Sequence, residues 1–156
     1  MPSKQIDYLY LEKGQLSDND HMLLQRAEAV LRFSHSPYSN FKVASAVLLE
    51  DGSISEGTNQ ENAAYPSGLC AERVALYAAK GRSHEKIKTL LVIARDALGQ
   101  PADAFCCGGC RQVIMEYASL QDEPIRIVMG DHAHQFVVLA NAKDLLPFHF
   151  NSSSLQ

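Results

Sequence analysis

The chain has 156 residues, 46% of them hydrophobic and 21% charged, an ordinary globular composition and enough for one domain with a full core. A net charge of −4 and a pI of about 5.8 exclude a chain that tracks phosphate backbones, because non-specific nucleic-acid affinity comes from clustered lysine and arginine. No apolar run reaches membrane-spanning length and the first residues carry no apolar signal-peptide core. The expectation is therefore a cytoplasmic protein with no nucleic-acid or membrane partner, acting on a small, weakly charged molecule.

Residues 1–16 read as an N-terminal extension, in which Ile6, Tyr8 and Tyr10 alternate weakly over 6–11 as an edge strand or a leader. Ser17, Asp18, Asn19 and Asp20 offer N-cap and first-turn acidic groups. Leu23, Ala27, Val30 and Leu31 recur at helical spacing, predicting a helix over 18–34. Ser36-Pro37-Tyr38-Ser39-Asn40 ends it in a turn. Residues 41–49 read as a buried strand, with Phe41, Val43, Ser45, Val47 and Leu49 on one face and Ala44, Ala46 and Leu48 on the other. Asp51-Gly52 is a hairpin turn, 53–58 the return strand and 59–69 a loop. A helix begins near Cys70 and stops at Gly81. Residues 87–94 are apolar and β-branched, a central strand. After a loop, a second such helix begins near Cys107 and runs to Leu120. Residues 125–129 and 136–139 read as strands, 143–146 as a helical turn and 151–156 as a flexible tail. His132 and His134 fall in an expected turn facing solvent. The order α-β-β-α-β-α-β-β predicts an α/β fold, a three-layer α-β-α sandwich whose mixed sheet of about five strands is covered by helices on both faces.

The chemistry concentrates in Cys70-Ala71-Glu72-Arg73 and Cys107-Gly108-Gly109-Cys110. In a chain with no secretory signal, four cysteines point to metal binding or catalysis rather than a disulfide framework. Both stretches fall where a loop becomes a helix, and a helix N-terminus lowers a thiol's pKa, which zinc requires of its ligands. Cys70, Cys107 and Cys110 would supply three ligands to one Zn2+ per subunit and leave the fourth position open, the pattern of a catalytic site. Cys106 neighbours Cys107, and adjacent residues rarely both reach one ion. Glu72, in the first helical turn, can lean over the metal without binding it, as a proton shuttle. Arg73 and Arg111 follow the two elements directly. Each reads either as a guanidinium offsetting thiolate charge or as a surface ion pair. Taken alone, the CxxC would equally fit a redox pair or half a zinc knuckle.

Five stretches carry a resemblance: Ser36-Pro37-Tyr38-Ser39-Asn40-Phe41, Asn59-Gln60-Glu61-Asn62-Ala63-Ala64-Tyr65-Pro66, Gly68-Leu69-Cys70-Ala71-Glu72-Arg73, Cys107-Gly108-Gly109-Cys110-Arg111-Gln112 and Leu145-Leu146-Pro147-Phe148-His149-Phe150. In this order they resemble the cytidine deaminases, specifically the small homotetrameric type with three cysteine ligands. The resemblance implies a single catalytic domain over 17–150 and zinc-dependent hydrolysis of cytidine and deoxycytidine to uridine and deoxyuridine, with Glu72 moving protons. It implies that Asn59 and Glu61 hold the ribose 3′-hydroxyl, that Phe41 lies near the sugar, and that Tyr65 reaches an adjacent subunit's site. It also implies that Phe150 stacks on the pyrimidine held by a neighbouring subunit. The chain departs from the family at Cys106, where proline is usual, and at Val43-Ala44-Ser45-Ala46, where the family carries Val-Gly-Ala-Ala. Ser45 is thereby expected near the pocket floor, and a modified or antibiotic cytosine nucleoside becomes a second substrate class. A non-catalytic zinc or thiol-redox module is the third reading.

Overall fold

The computed structural model describes residues 5–130 and 135–155; His132 and His134 lie outside them. Among the described residues ten strands and α-helices follow one another: β1 (Leu9–Glu12), α1 (Asp18–Val30), β2 (Lys42–Leu49), β3 (Ile54–Thr58), α2 (Ala71–Lys80), β4 (Ile87–Arg95), β5 (Pro101–Ala102), α3 (Gly108–Ser119), β6 (Arg126–Gly130) and β7 (Gln135–Leu139). The first predicted helix is shorter than its periodicity suggests, because the chain tightens into a 3-10 turn at Leu31–Phe33 ahead of the Ser36-Pro37 turn. At the other end, Ser152–Leu155 forms a 3-10 turn where a flexible tail is expected.

The sheet has seven strands, in the order β1-β7-β6-β4-β2-β3, with β5 paired to β4. The two strands beyond the expected five are β1 and β5. β1 pairs antiparallel with β7, Leu9 opposite Val138. β5 is a two-residue pairing within the loop after β4, too short to leave a period-2 pattern. β4 shows why the sheet is covered on both faces. Its Leu91 and Ile93 pack with Leu23, Leu24 and Ala27 of α1. Its Leu90 and Val92 pack with Ala75, Leu76, Ile114 and Met115 of α2 and α3. The three layers follow from this alternation on one strand.

Strand direction places the two cysteine stretches together. β2 is antiparallel to both β3 and β4, so β3 and β4 run the same way. Each is followed by a helix, α2 after β3 and α3 after β4. Both helices therefore begin at the same edge of the sheet.

α1 is fixed to the opposite face by one buried carboxylate. Asp20 closes a capping box with Ser17, accepting from its backbone N–H at 3.3 Å while its own N–H donates to the Ser17 hydroxyl at 3.2 Å. It also accepts two bonds from Arg126 on β6, at 3.2 and 2.8 Å. Burial works against the Asp20 anion, but the bonds from Arg126 and Ser17 outweigh it and hold the carboxyl below the usual carboxylate range. A depressed carboxyl contributes stability above its unfolded pKa and loses it as pH falls through its native value. Asp20→Ala removes cap and clamp together and is expected to cost about 2–3 kcal/mol at neutral pH. The check is a denaturant titration at pH 7 and in acid: the deficit at pH 7 should shrink as the pH drops below about 4.

Candidate active site

Cys70 is the N-cap of α2, Cys107 is the N-cap of α3, and Cys110 lies in the first turn of α3. The Cys107 sulfur accepts the Cys110 backbone N–H at 3.5 Å, an ordinary cap performed by a thiol. The three Sγ atoms lie within 4.8 Å of one another, and Cys70 and Cys107 stand 3.8 Å apart. Two sulfurs at tetrahedral positions on zinc, each with a bond of about 2.3 Å, would be about 3.8 Å apart. The donor set and its spacing thus fit a zinc ion. Among the described residues, this is the only such group of metal-ligating side chains, and Cys106 is not in it.

The electrostatics favour a thiolate at Cys70. A hydrogen bond from Cys110 is the largest influence on Cys70, with Arg73 assisting against burial, and together they lower the Cys70 thiol to about 5. Cys110 is displaced upward, first by that same bond to Cys70 and then by burial. Arg73 Nη2 lies 3.8 Å from Cys70 Sγ, and Arg73 Nε is buried without a hydrogen-bond partner. Its charge therefore stays at the thiol cluster.

Glu72 is 4% exposed, and burial raises its carboxyl above the ordinary glutamate range. It borders a cavity of about 600 Å³, whose lining also includes Cys70, Arg73, Cys107 and Val92. Phe41, Asn59, Glu61 and Tyr65 line the same cavity. The segment carrying Asn59 and Glu61 is pinned rather than loose. The backbones of Asn59 and Glu61 bond His35 on one side (3.0 and 2.8 Å), and Gln60 exchanges two 2.9 Å bonds with Leu69 on the other.

Asn59 accepts from the Ser34 hydroxyl at 2.6 Å and from Val43 N–H at 2.8 Å, and donates to the Phe41 carbonyl at 2.9 Å. An amide carries two N–H donors, so these bonds leave one for a ligand. Asn62 accepts from Ala64 N–H at 2.8 Å, an Asx turn. Glu61 accepts from the Ser39 hydroxyl and from the backbone N–H groups of Tyr38 (2.9 Å) and Ser39 (3.3 Å). Those bonds, the Ser39 hydroxyl first, hold its carboxyl below the usual range. Tyr38 and Ser39 thus act on the cavity wall through Glu61, and Asp103 and Phe105 line it from the loop after β4. Sequence reasoning gave none of these four a role. Tyr38 and Ser39 stand inside the 36–41 stretch that carries the resemblance, Asp103 and Phe105 outside every such stretch, and side-chain partners across loops leave no periodic trace.

Comparison with known proteins agrees with this geometry. The model for the cytidine and deoxycytidylate deaminase zinc-binding region matches residues 17–122. A cytidine deaminase of Halalkalibacterium halodurans is 38% identical over 95 residues, 61% of this chain and 69% of the relative. One from Sporosarcina psychrophila is 39% identical over 97 residues, 62% of this chain and 68% of the relative. The crystal structure of cytidine deaminase from Burkholderia pseudomallei superposes with a TM-score of 0.71 at 31% identity, covering 86% of this chain and all of that one. The chain belongs to the cytidine and deoxycytidylate deaminase family. It is an enzyme of the cytidine deaminase type.

Within this deaminase, Arg111 and Ser45 sit differently from what the sequence suggests, and Phe150 stands clear of its own chain's cavity. Arg111 donates to the backbone carbonyls of Cys106 (2.8 Å) and Leu145 (3.2 Å), so these bonds tie the start of α3 to the C-terminal segment instead of touching a sulfur. Ser45 is fully buried and donates to the Leu91 carbonyl at 2.8 Å inside the sheet, and it is not among the cavity's lining. Phe150 is 58% exposed and lies outside its own chain's cavity, its carbonyl accepting from Gln112 at 2.7 Å.

The position of α2, and with it Cys70 and Glu72, depends on Gly57 in β3. A Cβ there would stand 2.4 Å from Ala75 N and 2.6 Å from Ala71 O, so only glycine lets the helix backbone approach this closely. Gly57→Ala is expected to lower stability by about 1–3 kcal/mol and to weaken zinc uptake, because the first turn of α2 must move. Thermal melting and a zinc titration with a chromogenic competitor check both. A variant with shifted melting but unchanged zinc affinity would show that Cys70 is held independently of this contact.

Proposed function

We propose that this enzyme hydrolytically deaminates free cytidine and 2′-deoxycytidine to uridine and 2′-deoxyuridine with release of ammonia, as a zinc enzyme of pyrimidine salvage. The observation that carries this reading is Glu72, buried beside three converging thiols at the wall of a cavity large enough for a nucleoside. Cys70, Cys107 and Cys110 would hold the zinc ion. Bound there, zinc would supply Lewis-acid activation of water. Glu72 accepts the proton lost by the attacking water as the oxygen joins C4. It delivers that proton to the pyrimidine N3, then carries the second proton of that water from the new C4 hydroxyl to the amine, and the C4–N bond breaks to release ammonia. Burial of Glu72 supports this role, because desolvation raises its carboxyl and so makes it readier to take up a proton than an exposed glutamate. Arg73 offsets the thiolate charge at Cys70, and Arg111 steadies the start of α3.

Asn59, through its remaining N–H, and Glu61, fixed by Ser39 and Tyr38, would grip the ribose 3′-hydroxyl. A grip there ignores the 2′ position, which is why both sugars are included. Phe41 forms an apolar wall beside the sugar, and Tyr65 stands at the rim, 78% exposed. Exposure of Phe148 and Phe150 supports a homotetramer in which each Phe150 covers a neighbour's cavity. The four unpaired thiols support a reducing, cytoplasmic setting.

Two measurements test this reading. Glu72→Gln should keep one zinc per chain and lose about 10²–10⁴-fold in kcat, measured as ammonia release. Near-normal turnover in that variant would sink the mechanism. Phe150→Ala should also be slow, yet mixing its subunits with Glu72→Gln subunits should restore part of the activity. Each mixed oligomer then contains cavities with an intact Glu72 covered by an intact Phe150. No recovery on mixing would place Phe150 outside the neighbour's site.

A further inference from the structure

Phe105 borders two spaces at once. It lines the cavity of about 600 Å³ that contains Glu72 and the thiols, and it lines a second groove of about 340 Å³. Its neighbours Ala104 and Cys106 are buried, whereas Phe105 is 52% exposed and packs in neither core cluster. The ring is therefore turned out of the core, where the two spaces meet. The backbone on either side of it is anchored: Ala102 pairs with Ala94 of β4, and the Cys106 carbonyl accepts from Arg111 Nε at 2.8 Å.

The N-terminal extension walls the groove. Tyr8 and Tyr10 stand there as an edge-to-face pair with ring centroids 5.6 Å apart, and Met129 and Leu139 add apolar lining from β6 and β7. Arg111 and Asp144 are its charged lining, and Arg111 already donates to two backbone carbonyls. Such a space suits an apolar or aromatic group.

The chemistry of cytosine says which group could reach it. N1, which bears the sugar, and C4 lie opposite each other across the pyrimidine ring, so the C4–N4 bond continues the axis away from the sugar. With the sugar at Asn59 and Glu61 and C4 at the thiols, N4 points at the far wall. The segment leading into Cys107 supplies that wall, through Asp103, Ala104 and Phe105. A substituent on N4 would pass Phe105 and enter the groove.

We propose that the enzyme also hydrolyses cytidines carrying an apolar substituent on N4, the substituent lying across Phe105 in the groove of Tyr8 and Tyr10. The step needs no further reactant. The oxygen of water bonds to C4, one of its protons ends on N3 and the other on the departing nitrogen, and the C4–N4 bond breaks to release a primary amine in place of ammonia. This inference rests on the reaction proposed above and adds to it a substrate class and the surface that selects it.

N4-benzylcytidine is the probe. The zinc-loaded wild-type enzyme should convert it to uridine and benzylamine. The double variant Tyr8→Thr/Tyr10→Thr should lose about ten-fold in kcat/KM for this substrate, with the value for cytidine within about two-fold of wild type. Phe105→Ala should lose more on N4-benzylcytidine than on cytidine, by about five-fold or more. Turnover of cytidine with no release of benzylamine overturns the inference, and so do equal losses on the two substrates in these variants. Binding separates this outcome from failure of the functional reading. In zinc-loaded Glu72→Gln protein, calorimetry should find N4-benzylcytidine bound about ten-fold more tightly than cytidine, and adding the two tyrosine substitutions should erase the difference. If the wild-type enzyme releases no ammonia from cytidine, the functional reading fails. The affinity ratio still decides whether the groove takes the substituent, and a ratio of one or less overturns the assignment.

Discussion

The site depends on two helices starting at one edge of the sheet. β3 and β4 share a direction because each is antiparallel to β2, so α2 and α3 open side by side. Everything chemical follows from that arrangement. Cap positions carry cysteines in place of the usual serine or aspartate, and the positive ends of the helices favour the thiolates that a metal needs. The close approach at Gly57 seats the first turn of α2 against β3, and Cys70 caps that helix 3.8 Å from Cys107.

The cavity wall shows a related economy. Asn59 bonds Ser34, Val43 and Phe41, and Glu61 bonds Tyr38 and Ser39. Bracing and recognition are not competing explanations for these residues. A side chain that grips a hydroxyl with little loss of entropy must already be held in place, and the loop contacts do the holding. The Ser36–Asn40 turn, which sequence reading treats as the end of α1, is in this sense part of the wall.

Much of this was legible in the sequence because its signals are one-dimensional. Cys70, Glu72, Cys107 and Cys110 stand out by spacing and by their place at helix starts, and the faces of β2 can be read by alternation. What could not be read depends on partners distant in the chain. β1 reads in the sequence only as an edge strand or a leader, because its residues are largely exposed and their alternation is weak; its pairing with β7 decides between the two. Arg111 looks like a charge neighbour of the thiols, yet it reaches two backbone carbonyls, one of them on Leu145. Ser45 looks like a change in the pocket floor, yet its hydroxyl is absorbed by Leu91 within the sheet. A motif specifies which groups are available, whereas the packing decides which of them face the cavity.

Charge balance connects these parts. Three thiolates around a divalent ion would leave one excess negative charge, and the Arg73 guanidinium stands beside Cys70, where it would offset it. Glu72 then stands as the remaining anion in a buried place, where desolvation already disfavours its charge. A carboxylate so placed gains from taking a proton and is not trapped by a neighbouring cation, since Arg73 is committed to sulfur.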